Sequence, residues 1–220
     1  SNEDLRTIHE DEHIHVLDKP AGLLAVPGRG PDKQDCLSSR AQALWPDALI
    51  VHRLDMATSG LLVMARGLPV QRALSLAFEQ RRVHKRYQAV VAGALAEPEG
   101  TIDLPIMIDW LNRPRSIVHH QNGKPSLTRW RRLAAAPWQP DAPADRPVIT
   151  TRLELEPVTG RTHQLRVHLQ AIGHPIVGDP LYATSEQQGW SARLLLHACE
   201  LSLPHPASGQ TLSFHSPCPF

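Results

Sequence analysis

The chain has 220 residues, 41% of them hydrophobic and 20% charged, with 23 Lys and Arg against 22 Asp and Glu for a net charge of +1. That is the composition of an ordinary globular chain able to bury a sizeable core, as one large domain or one domain with a small appendage, and it lacks the basic excess common in nucleic-acid binders. No apolar run reaches bilayer length, no signal-peptide pattern opens the chain, and Cys36, Cys199 and Cys218 lie too far apart for a disulfide framework or a C-x-x-C zinc site, so a cytoplasmic protein with reduced thiols is expected.

Acidic residues crowd the start as Glu3, Asp4, Glu10, Asp11 and Glu12, and a first strand is predicted at 14–17. Asp35 is placed to cap a helix that runs through Leu44 and stops at Pro46. A strand at 49–54 and an apolar strand at 61–65 flank the polar stretch 52–60. Pro69, at a first-turn position, opens a helix that buries Val70, Leu74, Ala77 and Phe78. Arg81, Arg82, Lys85 and Arg86 then lead into a strand at 86–92, and strands at 116–120 and 127–133 follow amid Arg113, Arg115, Lys124, Arg129, Arg131 and Arg132. Such clusters can neutralise phosphates on one face even in a nearly neutral molecule. Residues 134–147, with Pro137, Pro140, Pro143 and Pro147, read as a surface loop between two strands of one sheet. After a strand at 148–156, Thr162 can cap a helix with Leu165, Leu169 and Ile172 on one face and Gly173 at its end, and strands at 194–203 and 211–214 complete the chain. Many strands with few helices predict an α+β fold with an extended, mostly antiparallel sheet, in a single domain over 1–220.

The segment His52-Arg53-Leu54-Asp55-Met56-Ala57-Thr58-Ser59-Gly60 sets one carboxylate among turn formers between apolar strands, where function concentrates. Arg53 and the hydroxyls of Thr58 and Ser59 could hold Asp55 ionised. Alone, a D-x-x-T-S-G string is more often an ordinary capped turn. The whole string, however, resembles the signature H-R-L-D-x-x-T-S-G of the RluA family of pseudouridine synthases. Lys19-Pro20-Ala21-Gly22-Leu23, Lys85-Arg86-Tyr87, Gly160-Arg161-Thr162-His163-Gln164-Leu165-Arg166 and Leu195-Leu196-His197-Ala198 are similar to further motifs of that family, in the family's order and across nearly the full chain.

The resemblance implies a long, bent mixed sheet with an active cleft across its middle, and an isomerisation that breaks the N-glycosidic bond of uridine, rotates the uracil and rejoins it through carbon. It implies no cofactor and no metal. Asp55 would be the catalytic carboxylate, as a nucleophile or as the base that removes the ribose 2′ proton. Arg161 would pair with it against the cost of desolvation. Tyr87 would stack on the uracil and help remove its C5 proton. The target must leave its stack, and Arg53, two residues before Asp55 and pointing to the same side of an extended segment, would fill the vacated place. Arg82, Lys85, Arg86, His163, Gln164, Arg166 and His197 complete the expected substrate-binding set, while His52 packs within the loop. The implied partner is an RNA stem-loop, with no membrane association, and the enzyme is expected to be a monomer. The family's accessory N-terminal module is not expected, because the Lys19-Pro20 motif begins so early. The segment Asp103-Leu104-Pro105-Ile106-Met107-Ile108-Asp109-Trp110-Leu111-Asn112-Arg113-Pro114 looks closest to the family's dual-specificity enzyme, which modifies a large-subunit rRNA hairpin and a tRNA anticodon loop. The alternative is a relative confined to one RNA.

Two other classes compete. The 13 histidines suggest a metal-dependent hydrolase using His13 and His15, or His119 and His120, with Asp55. Alternation puts His13 and His15 on one strand face, but His119 and His120 point apart, His163 and His168 are poorly spaced for one ligand face, and no H-E-x-x-H occurs. An RNA-binding module without activity is opposed by the joint presence of Asp55, Tyr87 and Arg161.

Overall fold

A computed structural model describes residues 5–141 and 145–220, so Glu3 and Asp4 of the acidic start and Pro143 of the proline-rich loop lie outside the described residues. In chain order the elements are β1 (Arg6–Glu10), β2 (Ile14–Lys19), α1 (Leu37–Leu44), β3 (Ala48–Ile50), β4 (Ser59–Arg66), α2 (Leu68–Glu79), β5 (His84–Ala92), β6 (Glu99–Asp103), β7 (Ile106–Ile108) and β8 (Ser116–Val118). β9 (Leu127–Arg132), β10 (Thr150–Pro157), α3 (Gln164–Ala171), α4 (Ser185–Gly189), β11 (Leu196–Pro204) and β12 (Thr211–His215) follow. This is the α+β class expected, rich in strands and poor in helix. The chain folds as two compact units, one formed by the chain up to Lys85 with His197–Cys218, the other by Arg86–Leu196 with Pro219–Phe220.

In the first unit β2 and β4 are buried along almost their whole length, and β4 accordingly reads as a continuous apolar run from Leu61 to Ala65, while β2 buries His15 and Lys19 beside Ile14, Val16 and Leu17. They pair antiparallel from Ile14 opposite Ala65 to Lys19 opposite Gly60. β1 pairs antiparallel with β2, β3 with β4, and β12 with β11. β11 lies parallel to β4 through His197 opposite Ser59 and Ala198 opposite Gly60, so the sheet is mixed. Gly60 has φ +119°, and a Cβ there would stand 2.2 Å from the Ala198 carbonyl oxygen, so only glycine permits this approach. Helix α2 buries Leu74 and Ala77 against Ile14, Val16, Leu61, Val63, Ala65, Val83, Leu201 and Leu203, with Val70 and Phe78 packed at the margin.

The second unit is built on the antiparallel order β5, β10, β9, β6, with β7 and β8 as a separate antiparallel pair. The proline-rich segment joins β9 to β10, two paired strands, as its sequence suggests, and it folds back through Thr150 Oγ1 donating to the Trp138 carbonyl. Ile106, Val167 and Tyr182 form a core cluster with Val118 and Leu181 at its edge.

Several local expectations are corrected. The strand expected over 49–54 stops at Ile50, because further along the Val63 N–H is taken by the His52 ring instead of by a strand backbone. Ser59 and Gly60 belong to β4 and are not a turn. Asp35 does not cap α1. Its carboxylate is engaged bidentately by Arg40, and the cap is Cys36, whose sulfur accepts the Ser39 N–H. Thr162 does not cap α3, whose N-cap is His163 in the left-handed region at φ 56°. That helix is also not one-sided: Gln164, Arg166 and His168 are buried beside Leu165 and Leu169.

Candidate active site

Asp55 sits half-buried in the first unit, in the loop between β3 and β4, with Leu54 buried before it and Thr58 and Ser59 buried after it. The loop is braced from both sides. Thr58 N–H donates to the Asp55 carbonyl at 3.0 Å, and the Met56 carbonyl accepts from Gly22 N–H at 2.8 Å and from Lys19 Nζ at 3.0 Å. Lys19 is almost wholly buried and donates also to the carbonyls of Pro20 (2.9 Å) and Leu23 (2.7 Å), so one ammonium ties the Lys19-Pro20 turn to the residue after Asp55. Charge-assisted bonds of this kind are among the stronger ones available to a loop. Arg53 is exposed.

His52 stacks on Phe78 at 4.6 Å and accepts the Val63 N–H at 3.0 Å. Burial first, and the Lys85 charge second, push its pKa down to about 3, so the ring is neutral and serves as an acceptor, in the packing role expected of it. Burial likewise pushes the Lys85 ammonium down. Along the start of β5, Lys85 and Tyr87 point to one side and exposed His84 and Arg86 to the other, and Tyr87 is buried. Arg82 is exposed and donates to Gln80 Oε1 at 3.0 Å. His197 lies buried in the first unit, its Nδ1 2.8 Å from Ser59 Oγ and its Nε2 3.0 Å from Ser216 Oγ, which in turn donates to Asp18. It locks the start of β4, just after the Asp55 loop.

In the second unit, the Gly160–Arg166 motif is held by its glutamine. Gln164 Oε1 accepts from Thr159 Oγ1 (2.6 Å) and Arg161 N–H (3.1 Å), while its Nε2 donates to the Leu127 carbonyl and Thr128 Oγ1. The side chain thus fixes the turn that presents Arg161. The Arg161 guanidinium donates to the Pro125 carbonyl at 3.2 and 3.4 Å. Arg166 is buried and makes a fork with buried Asp179 at 2.8 and 2.7 Å. Asp179 also accepts the Leu181 and Tyr182 N–H groups. The Tyr182 hydroxyl accepts from Ser116 N–H at 2.8 Å and is hydrogen-bonded to His163 Nδ1 at 2.7 Å. Of the expected substrate-binding residues, Gln164, Arg166 and His197 therefore spend polar groups on buried protein partners, whereas Arg53, Arg82 and Arg86 face solvent. Asp179, Tyr182 and Lys19 went unassigned in the sequence reading. The signal for the first two is the string Gly178-Asp179-Pro180-Leu181-Tyr182, a carboxylate and a phenol set among turn formers directly after apolar Ile176-Val177.

The histidines considered as metal ligands have other surroundings. His15 is buried and stacked on Trp45 at 4.1 Å, and His119 Nδ1 accepts the Asn122 N–H. Among the described residues Asp11, His13 and His205 bring ligand-type atoms within 4.8 Å of one another. However, His205 Nδ1 accepts backbone N–H bonds from Ala207 and Ser208, which puts its proton on Nε2, 3.0 Å from the Asp11 carboxylate. Burial opposes ionisation of Asp11, but hydrogen bonds from His9, His13, Ile14 and His205 outweigh it and hold the carboxyl well below its usual range. The cluster is a hydrogen-bonded tie between two strand turns.

No helix among the described residues is long and apolar enough to cross a membrane. Residues 13–171 match the family model described as RNA pseudouridylate synthase. The chain is 48% identical over 213 residues to the dual-specificity RNA pseudouridine synthase RluA of Vibrio parahaemolyticus, covering 97% of this chain and 83% of that one. It is 44% identical to the RluA of Escherichia coli K12, covering 97% and 93%. Among solved structures it is similar to human RNA Pseudouridylate Synthase Domain Containing 1, with a TM-score of 0.80 and 29% identity over 100% of this chain and 86% of the other. The metal-dependent hydrolase and the inactive RNA-binding module are thereby set aside: the chain belongs to the RNA pseudouridine synthases, isomerases that act on RNA.

Proposed function

We propose that this enzyme converts specific uridines to pseudouridine in two kinds of stem-loop, a large-subunit rRNA hairpin and a tRNA anticodon loop, and that Asp55 is its reactive carboxylate. The observation that carries the dual specificity is identity of 44–48% over nearly the full chain to relatives named as dual-specificity synthases. A relative confined to one RNA would fit the family model equally but not that agreement.

For Asp55, the support is its loop. A carboxylate that acts on a ribose must be held in place while it works, as nucleophile at the sugar or as base at its 2′ proton. The loop is short, flanked by buried residues, and stitched by Lys19 and Gly22 through Met56. Tyr87 is assigned to stacking on the uracil and to removal of its C5 proton, and Arg161 to supplying the positive charge that keeps the carboxylate ionised. Both assignments rest on their motifs and on the chemistry. Arg53, Arg82 and Arg86, exposed and charged, are assigned to the RNA. Lys85 and His163 are kept as substrate-side groups, and Gln164, Arg166 and His197 as residues that position others. Such an enzyme works where its RNA is made, in the cytoplasm, and as a monomer.

The test offers transcripts of both RNAs carrying tritium at C5 of uridine and maps which site releases label. Release from one specific uridine in each is expected, and release from only one RNA would refute dual specificity. Asp55→Asn, nearly isosteric, should abolish release while RNA binding stays within about threefold, since the amide can be neither nucleophile nor base. Release near the wild-type rate would remove Asp55 from this role.

A further inference from the structure

The first unit contains a cavity of about 650 Å³ bounded by the Pro20–Leu24 turn, Asp32, Lys33, Asp35, Arg40 and Met56. We propose that it receives the base of a nucleotide flanking the target uridine, an inference that rests on the reading of Asp55 given above. Its size lies in the range of small-molecule sites. Its apolar lining includes Pro20, Leu24 and Met56, and Met56 is 51% exposed although large and hydrophobic. Met56 follows Asp55 directly, with consecutive Cα atoms about 3.8 Å apart. The cavity thus borders the loop that holds the carboxylate, and the adjoining nucleotide of the same strand is the part of the RNA that reaches it.

The charges of the lining decide between base and phosphate. Asp32 and Asp35 balance Lys33 and Arg40, and Arg40 is already engaged bidentately by Asp35 at 2.8 Å for both bonds. A phosphate would gain little there and would meet two carboxylates. A nucleobase gains apolar contact with Pro20, Leu24 and Met56 at no cost in charge. The cavity is also stiff where it matters. The Met56 carbonyl is fixed by Gly22 N–H and by Lys19 Nζ, and the same ammonium holds the carbonyls of Pro20 and Leu23. The Pro20–Leu23 turn and the peptide next to Asp55 form one braced piece, so a seated base fixes the register of the strand relative to the carboxylate without reorganising that side of the cavity.

The experiment uses anticodon-type hairpins in which each nucleotide within two of the target is replaced in turn by an abasic residue. Single-turnover rates and binding are measured for the wild type, Met56→Ala and Leu24→Ala. In the wild type one position should lose about fivefold or more in rate or binding, from lost apolar burial. In Met56→Ala the intact hairpin should be impaired by a similar factor, and the abasic change at that one position should add no more than about twofold, while effects elsewhere persist. Leu24→Ala, on another wall, should give the same position-specific loss of sensitivity and so exclude a general defect of the Met56 variant. Abasic and protein effects that multiply at every position would overturn the cavity assignment while leaving the reaction intact. A wild-type chain that modifies no uridine would overturn the functional reading, and this proposal with it.

Discussion

Replacing Asp179 by Asn should cost the second unit about 3–5 kcal/mol, the range for breaking one partner out of a buried ion pair. The structure sets why. Side-chain exposure is 4% for Arg166 and 0% for Asp179, so water cannot replace the lost partner. The amide of Asn can keep accepting from the Leu181 and Tyr182 N–H groups with its oxygen, but its NH2 then faces the guanidinium, a donor against donors. The unpaired charge, rather than the lost hydrogen bond, dominates the cost. With a urea dependence of about 2 kcal/mol per molar, the unfolding midpoint of this unit should drop by about 2 M. Trp110 and Trp130 lie within that unit, so tryptophan fluorescence can follow the transition. The double variant Arg166→Met with Asp179→Asn removes the charge as well and should recover most of the loss. A single-variant cost below about 1 kcal/mol, or a double variant as unstable as the single, would refute the assignment of this pair as the charge anchor of α3.

Gly60→Ala should cost about 3 kcal/mol or more, because φ is +119° and the new Cβ would meet the Ala198 backbone at 2.2–2.8 Å. Thermal unfolding checks it, and a midpoint unchanged from wild type would show that β4 and β11 can part freely. Acid should weaken the fold below about pH 6.5: the unfolded chain protonates His52 at its ordinary 6.5 while the folded one resists to about 3, so stability is complete above 6.5 and is lost progressively as the pH falls towards 3. Buried His15 and His168 are shifted the same way, chiefly by burial, and add to the slope. In His52→Gln, which keeps an acceptor for Val63 N–H, urea midpoints should fall less steeply between pH 6.5 and 4, and an unchanged slope would refute the role of the ring. Tyr87→Phe should bind RNA and stall after the uracil has rearranged, whereas Tyr87→Leu should also lose binding to the flipped base. Quenched-flow analysis separates these steps, and equal mild effects would reduce Tyr87 to packing.

Fold class and most strands were legible because β4 and the second half of β5 carry apolar runs, while β10 and the second half of β11 alternate apolar and polar residues. Ends were less so, and for specific reasons. Nothing local in Val51-His52-Arg53-Leu54 says that His52 will turn its ring to a strand N–H 11 residues on. Asp35 and Thr162 are good caps by type, yet one is drawn off by Arg40 and the other displaced by a left-handed His163. Strands β1, β6 and β7 were passed over because their sequences Arg-Thr-Ile-His-Glu, Glu-Gly-Thr-Ile-Asp and Ile-Met-Ile are short or largely polar and gain their place only by pairing. At the candidate site, motif residues could be named but not their tasks. Gln164, Arg166 and His197 are polar groups inside the fold, and which polar residues are buried depends on partners such as Thr128, Asp179 and Ser216 that lie 13 to 36 residues away.

The hydrogen bond between Ser59 and His197 joins residues 138 apart in the chain, and β4 obtains its parallel neighbour only from that far stretch. During synthesis, the Asp55 loop can be braced by Lys19 and Gly22 at once, whereas Ser59 and Gly60 gain their His197 and Ala198 neighbours only when β11 has left the ribosome. The intervening residues 86–196 all belong to the other unit and can fold in the meantime. The β4–β11 pairing can therefore form only after residues 86–196 have been made, a timing set by strand order alone.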